Sequence, residues 1–421
     1  MLLAARGKIE DAVARFKEAI ACKPDYAEAY NNLGYFLYKE LDRPDEGTAY
    51  LRRAINLKPG LLDAHCNLGM VLQHQGMLEE ALARFNEVLA FDPGLDEARL
   101  NRAILWLSIG DFERGWPEYE VRRKVGKHFI PRHFPYPEWD GSSLQGRTIL
   151  VYAEQGLWDE IMFASCLPDV IRQAGHCVIE CSGKVEKLFR RSFPAATVHG
   201  GTQTDTDVSW LSALPVVDCQ VTAGSLPRYL RRSWADFPRH PGYLQADPER
   251  VAYWGSRLDE LGEGPKIGIS WRGGTRDTRQ RARSFNLDQW SKMLGLPSVH
   301  FISLQYTDCR EELARLKEQH GLTVHHWQEA IDDYDETAAL VSALDLVVSV
   351  CTAVIHLGGA LGRPVWVLAP TSPEWRYLRE GDSMPWYPSV KLFRQSEPHS
   401  WREVFRRVEA ALHARFAGLK R

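Results

Sequence analysis

A chain of 421 residues is long enough for roughly two or three domains. Charged residues make up 25% and the formal net charge is -3, so no bulk basic field argues for a nucleic-acid partner. No apolar run reaches the ~18–20 residues that would span a bilayer, and Arg6, Lys8 and Glu10 follow the first apolar residues too closely for a secretory signal.

Eight cysteines (Cys22, Cys66, Cys166, Cys177, Cys181, Cys219, Cys309 and Cys351) are scattered without a C-x-x-C pair. That spacing gives no zinc framework, and a reducing cytoplasm is the expected compartment. Cys177 and Cys181, near an expected strand, read as core.

Proline recurs at Pro24, Pro59 and Pro93, at intervals of 35 and 34 residues, which is the tetratricopeptide period. Ala12, Phe16 and Ala19 match Ala81, Phe85 and Val88, and Leu33-Gly34 matches Leu68-Gly69. Small residues let the two helices of a unit approach, and large ones fill the gap. Each proline ends a second helix because it cannot supply the helical amide. A divergent fourth unit is expected from about Asp96 to Val125, turning at Gly110-Asp111-Phe112. The first unit lacks most of its first helix. Either a cap is missing or the natural chain continues upstream, and an uncapped repeat exposes apolar edges through which the chain could form a homo-oligomer. The array is either a spacer or a concave surface gripping a protein partner, with Tyr26, Tyr30, Asn31 and Asn67 on the lining positions.

Residues 126–146 read as a proline-stiffened linker, with Trp139 tucked against the next domain. Two αβ regions come next, expected over 147–243 and 244–398. In the first, Thr148 to Ala153 reads as a buried strand, and Glu154 to Glu160 turns into a helix running to about Ala174. His176 to Cys181, Thr197 to His199 and Val216 to Val221 are further strands. Pro238, Pro241 and Pro248 mark the crossing. In the second, Lys266 to Trp271 is a strand followed by a loop rich in glycine and arginine. Val299 to Gln305 and Thr323 to Trp327 are strands. Leu344 to Val350 is an apolar run typical of a strand buried on both faces. It leads into a small-residue helix carrying His356, broken by Gly362-Arg363-Pro364 before the strand Val365 to Leu368. This is a parallel βαβ unit. An amphipathic helix from Trp401 to Phe416 falls in the terminal segment 399–421. Paired parallel sheets leave a cleft, and ligands favour strand carboxyl ends beside helix N-termini.

Three segments carry a specific likeness: EQGLWDEIMFASCLPDV (154–170), SWRGGTRDTRQRARSF (270–285) and SVCTAVIHLGGALGRPVWVLAP (349–370). Over roughly residues 140 to 415 the chain resembles GT-B glycosyltransferases, closest to the ADP-heptose:lipopolysaccharide heptosyltransferase group. Bacterial chains joining tetratricopeptide repeats to such a domain form a known type. By architecture it is also similar to eukaryotic O-linked N-acetylglucosamine transferases. The resemblance implies an α-solenoid followed by a GT-B-like pair of Rossmann-type parallel-sheet domains, acceptor side first and nucleotide-sugar side second. It implies a metal-independent enzyme needing no cofactor beyond its nucleotide-diphosphate-sugar donor. The acceptor would be a protein or glycan presented by the repeats; flagellin-type or other surface proteins fit that role.

Glycosyl transfer needs a base for the acceptor hydroxyl, cationic or N–H groups for the departing diphosphate, and a site that excludes water. In the resembled group the base is the aspartate of a Gly-Asp pair after the first strand. Asp159 matches it, while Trp158 stands where the glycine would be. Trp158 either raises the pKa of Asp159 by lowering local polarity or fills the acceptor pocket, and without catalysis Asp159 simply complements a helix N-terminus. Glu154, Gln155 and Gly156 line the same acceptor side. Arg272, Arg279, Arg281 and Arg283 flank Gly273-Gly274-Thr275, a loop suited to phosphate unless it merely faces solvent. Arg283, then Arg272, best matches the family's diphosphate cation. Thr352 and the following amides suit a phosphate or ribose. Cys351 replaces a family aspartate that contacts sugar hydroxyls. His356 is either a diphosphate ligand or a packed core residue, and Gln305 is placed to meet nucleobase or ribose. Asp333-Tyr-Asp-Glu336 reads as a capping box. Glu374-Trp375-Arg376 either lines the cleft or pins its loop. Two rival readings stand beside a transferase: a non-catalytic adaptor with a degenerate site, and a GT-B-shaped sugar-nucleotide epimerase.

Overall fold

The proline period becomes a run of paired helices: α1 (Ile9–Cys22), α2 (Ala27–Leu41), α3 (Pro44–Leu57), α4 (Leu62–His74), α5 (Leu78–Phe91), α6 (Asp96–Ser108) and α7 (Phe112–Tyr119). The chain is seen here as a computed structural model that describes residues 9–125, 129, 132, 134–202, 208–214, 216–274, 280–398 and 400–416. It divides into two units, Met1–Gly126 and Lys127–Arg421. Within the first, small residues set the helix approach. A Cβ on Gly34 of α2 would lie 2.7 Å from Leu51 Cγ and 2.8 Å from the Gly47 carbonyl oxygen of α3. Gly69 of α4 stands against the Phe85 ring of α5. Leu51, Leu68, Val71, Leu72, Phe85 and Leu105 form one continuous core through successive units. Gly76 (φ 83°) and Gly110 (φ 81°) make the tight turns between paired helices. Asp111 caps α7 by accepting from the Arg114 amide at 3.1 Å. Asn67 donates to Asn31 at 2.9 Å, joining two of the expected concave positions.

The second unit holds two sheets. β1 (Thr148–Tyr152), β2 (His176–Ser182), β3 (Thr197–Gly201) and β4 (Cys219–Thr222) are parallel in the order β3-β2-β1-β4. The helix after β1 is broken: α8 (Leu157–Phe163) and α9 (Leu167–Gln173) are separated by a 3-10 turn at Ala164–Cys166. Helices α10 (Glu186–Ser192) and α11 (Pro248–Asp259) precede the second sheet. That sheet contains β5 (Lys266–Ser270), β6 (His300–Ser303), β7 (Val324–His325), β8 (Leu346–Val350), β9 (Val365–Ala369), β10 (Ser383–Met384) and β11 (Tyr387–Arg394). Its order is β10-β11-β9-β8-β5-β6-β7, parallel except for β10 against β11. Helices α12 (Arg310–His320), α13 (Tyr334–Ala343), α14 (Ala353–Ala360) and α15 (Arg402–Arg415) complete it. Strands β1, β5, β8 and β9 are buried at every position, as their apolar runs require.

The expected fold class is therefore the observed one: tetratricopeptide helices, then two Rossmann-type sheets of GT-B type. The β10–β11 pair is an addition; β11 extends the parallel ladder beyond β9. Within this unit the two sheets' layers are tied together. Tyr243 and Leu244 both donate their amides to the Ala360 carbonyl, at 2.8 and 3.0 Å, and the Tyr243 hydroxyl donates to the Ile161 carbonyl at 2.6 Å. Arg191 of α10 grips Asp335 of α13 with two bonds of 2.9 and 2.8 Å. Asp333 caps α13 by accepting from the Asp335 amide, in keeping with a structural role for that acidic run.

Crowding at Gly34 predicts that Gly34→Val destabilises the helical array by about 1–3 kcal/mol, through overpacking against backbone. Gly60→Ala, at a site with nothing within 4 Å, should be neutral. Denaturant titration followed by helical circular dichroism checks both.

Candidate functional site

Each sheet has a point where successive strands turn to opposite sides, and ligands of open parallel sheets sit in the crevice this opens at the carboxyl ends. The first sheet turns between β1 and β4, and the second between β5 and β8. At the first crevice, Glu154, two residues past β1, is buried; it accepts from Gln155 Nε2 at 2.9 Å and from the Gly224 amide, after β4, at 3.4 Å. Gly156 is the extended residue before α8, whose first turn carries Asp159 and Glu160. Asp159 is only 5% exposed. Burial pushes its carboxyl upward, and the opposing pull comes from Arg376.

Arg376 follows β9 of the second sheet and donates Nη2 to Asp159 Oδ1 at 2.6 Å. Its Nη1 donates to Glu374 Oε2 at 2.7 Å, and the other oxygen of Glu374 accepts from Arg283 Nη1 at 2.6 Å. Asp159, Arg376, Glu374 and Arg283 thus alternate in sign along one chain of contacts. Trp158 lies against both guanidinium groups, with its ring centroid 5.3 Å from Arg283 Cζ and 5.2 Å from Arg376 Cζ. The indole therefore faces the site, as a cation–π partner of two buried arginines.

At the second crevice, glycine is required twice. A Cβ on Gly273 would meet Thr352 Cγ2 at 2.5 Å and the Cys351 carbonyl oxygen at 2.7 Å. Gly274 has φ +81° and lies directly on the Arg283 guanidinium, where any side chain would collide. The Gly273 amide donates to Ser284 Oγ at 3.2 Å. The β5 loop, Arg283 and the start of α14 at Thr352 are thereby brought to one place.

Five of the expected ligand residues have their side-chain polar atoms on partners within this chain. Gln305 is fully buried, and its Oε1 accepts from the Trp271 amide (3.3 Å), the Arg272 amide (3.1 Å) and Ser270 Oγ (3.2 Å). Its Nε2 donates to the Arg272 carbonyl (3.1 Å) and Thr307 Oγ1 (3.0 Å). That amide clamps the β5 loop and has no capacity left for a nucleobase. His356 is fully buried and hydrogen-bonded to the hydroxyls of Tyr387 (3.1 Å) and Tyr377 (3.3 Å). Burial, then Arg376, holds its pKa well below the usual value, so it is a neutral histidine with both ring nitrogens already partnered in the core. Cys351 is buried, its thiol pushed by burial up to about 12, and its Sγ lies 4.0 Å from the Leu368 carbonyl oxygen. Arg272 turns back to α12, pairing with Glu312 at 2.6 Å and donating to the Asp308 carbonyl at 2.8 Å. Thr352 is buried, with its hydroxyl 3.1 Å from Ser349 Oγ. Thr275 and Arg279 lie outside the described residues.

Arg376 and Glu374 are the residues whose weight the sequence did not reveal. Among the described residues, no group of three or more histidine, cysteine or acidic side chains is arranged to hold a metal ion, and no helix is long and apolar enough to cross a membrane.

Glu160 is the second unforeseen group. It is buried, one oxygen accepts from the Ser182 amide, and the other has no hydrogen-bond partner among the described residues. Burial pushes its carboxyl from 4.5 up to about 8. A value raised on folding means that stability is full below the unfolded pKa and is lost as pH rises through the folded one. Wild type should therefore lose stability between about pH 4.5 and 8 relative to Glu160→Gln, which keeps the Ser182 contact. Denaturant midpoints of both proteins across that range test it; parallel curves would contradict it.

Known proteins bear on this arrangement at two levels. Family models match a TPR repeat at residues 2–40 and a tetratricopeptide repeat at residues 27–60. Among solved structures, the glycosyl transferase family 9 protein of Veillonella parvula covers 68% of this chain and 94% of its own, at 10% identity and a TM-score of 0.44. A mutant Thermobaculum terrenum O-GlcNAc transferase covers 99% of this chain and 90% of its own, at 15% identity and a TM-score of 0.33. Neither likeness is close enough to carry a functional assignment. The sequence relative is closer: Protein FlbA of Caulobacter vibrioides is 32% identical over 442 aligned residues, spanning 93% of this chain and 73% of the relative. Identity of that extent, across both the repeats and the paired sheets, makes this chain a member of the FlbA family.

Proposed function

We propose that this protein is a glycosyltransferase that moves a sugar from a nucleotide-diphosphate donor to a protein or glycan acceptor presented by its repeats. The observation that carries the reading is the convergence of a buried carboxylate, Asp159, with two buried guanidiniums, Arg376 and Arg283, at the carboxyl ends of two parallel sheets. The acceptor oxygen attacks the anomeric carbon, and its proton passes to Asp159. The bond from that carbon to the diphosphate breaks, and the electron pair leaves with the diphosphate. Burial raises the proton affinity of Asp159, which suits a base. Arg283 and Arg376 would neutralise the leaving diphosphate in a dry setting, where such charges act most strongly. For the diphosphate to reach them, Glu374 must give up at least one of its two arginine contacts. The two-sheet architecture supports the reading as fold only.

A second reading, a protein-binding adaptor with a closed site, is favoured by a specific observation. Trp158 lies against both arginines, and Glu374 already satisfies one bond from each.

Incubation with a panel of nucleotide-diphosphate sugars, assayed for released nucleotide, separates the two. Turnover is expected with at least one donor, and Asp159→Asn should lower it by about 10²–10⁴-fold, the usual weight of a positioned base, while retaining the wild-type circular dichroism spectrum. No turnover in wild type, together with turnover in Trp158→Gly, would favour the adaptor.

A further inference from the structure

We propose that Tyr306 is the stacking platform for the base of a nucleoside diphosphate, an inference that rests on the donor-site reading above and adds a residue to it. Tyr306 follows Gln305 at the carboxyl end of β6. Residues 301–305 are buried, whereas Tyr306 is 54% exposed, one of few large aromatic rings so placed among the described residues. Its exposure is not a product of loose backbone, because the neighbouring residues are held rigidly. The Gln305 side chain bonds the Trp271 and Arg272 amides, the Arg272 carbonyl and Thr307. The Leu304 amide donates to the Ile269 carbonyl at 2.8 Å. The ring is thus carried on backbone fixed to the same loop that brings Gly273 against Thr352 and Gly274 against Arg283.

The strand order suits one ligand. The crevice between β8 and β5 is where the phosphates are read, and β6 is the next strand beyond β5. Adjacent strands are about 4.8 Å apart, a step that a ribose bridges between diphosphate and base. Gln305 lies at the right strand end but is turned inward, while its neighbour Tyr306 is more than half exposed. Stacking on a tyrosine ring recognises any base through its π-face, at a strength of roughly one order of magnitude or more in affinity. The platform therefore contributes affinity for the nucleoside without selecting which base it carries.

Calorimetry on the full chain tests this, using inorganic pyrophosphate, UDP, GDP, ADP and CDP as probes. Wild type should bind at least one nucleoside diphosphate more tightly than pyrophosphate. Tyr306→Ala should weaken that nucleotide about tenfold while pyrophosphate binding stays the same, and Tyr306→Phe, which keeps the ring, should behave as wild type. A Tyr306→Ala protein that binds nucleotide as wild type does would overturn the platform and leave the donor site standing. Wild type that binds neither pyrophosphate nor any nucleotide would overturn the donor-site reading, and the platform with it.

Discussion

The ion pair between Asp159 and Arg376 is the contact that joins the strand ends of the second unit's two sheets. Both side chains are less than a tenth exposed. A buried charge is tolerated only when a partner and hydrogen bonds compensate its lost hydration, and removing one partner of such a pair typically costs about 3–5 kcal/mol. Here the compensation does not stop at two residues. Arg376 is held in turn by Glu374, and Glu374 by Arg283, so two positive and two negative groups neutralise one another. This alternation fixes the first turn of α8, the loop after β9 and the segment before β6 in one register.

The same arrangement carries a tension. Two guanidiniums at a strand-end crevice suit a diphosphate, yet their existing partner is a carboxylate of this chain. Trp158, standing where the resembled enzymes have glycine, covers the two cations. An anionic ligand with more charge than one carboxylate can displace Glu374 by competing for the same donors. The position of the indole then decides whether the vacated space is large enough. Trp158 and Glu374 are thus the residues that separate a working donor site from a closed one.

Features with local causes were legible in the sequence. Proline period, small-residue spacing and glycine turns located the repeat helices, since each acts within one or two turns of chain. Buried apolar runs located β1, β5, β8 and β9. Motif position singled out Asp159 and Arg283, and both lie in the contact chain. The features that escaped depend on distant partners. His356 is a core residue because its two ring nitrogens are hydrogen-bonded to the hydroxyls of Tyr377 and Tyr387, 21 and 31 residues away. Gln305 was assigned to the right strand end, but its partners at Ser270 to Arg272 lie 33 to 35 residues upstream. Arg376 meets a carboxylate 217 residues away, so no local pattern could rank it above an ordinary loop arginine. Strand β10 has two residues, and β11 contains Pro388, which masks its alternation.

The most direct measurement is a crystal structure of the full chain with a nucleoside diphosphate bound. Diphosphate oxygens are expected within hydrogen-bond distance of Arg283 and Arg376, with Glu374 withdrawn from at least one of them. A diphosphate bound elsewhere, with the Arg283–Glu374–Arg376 contacts intact, would contradict the donor-site assignment.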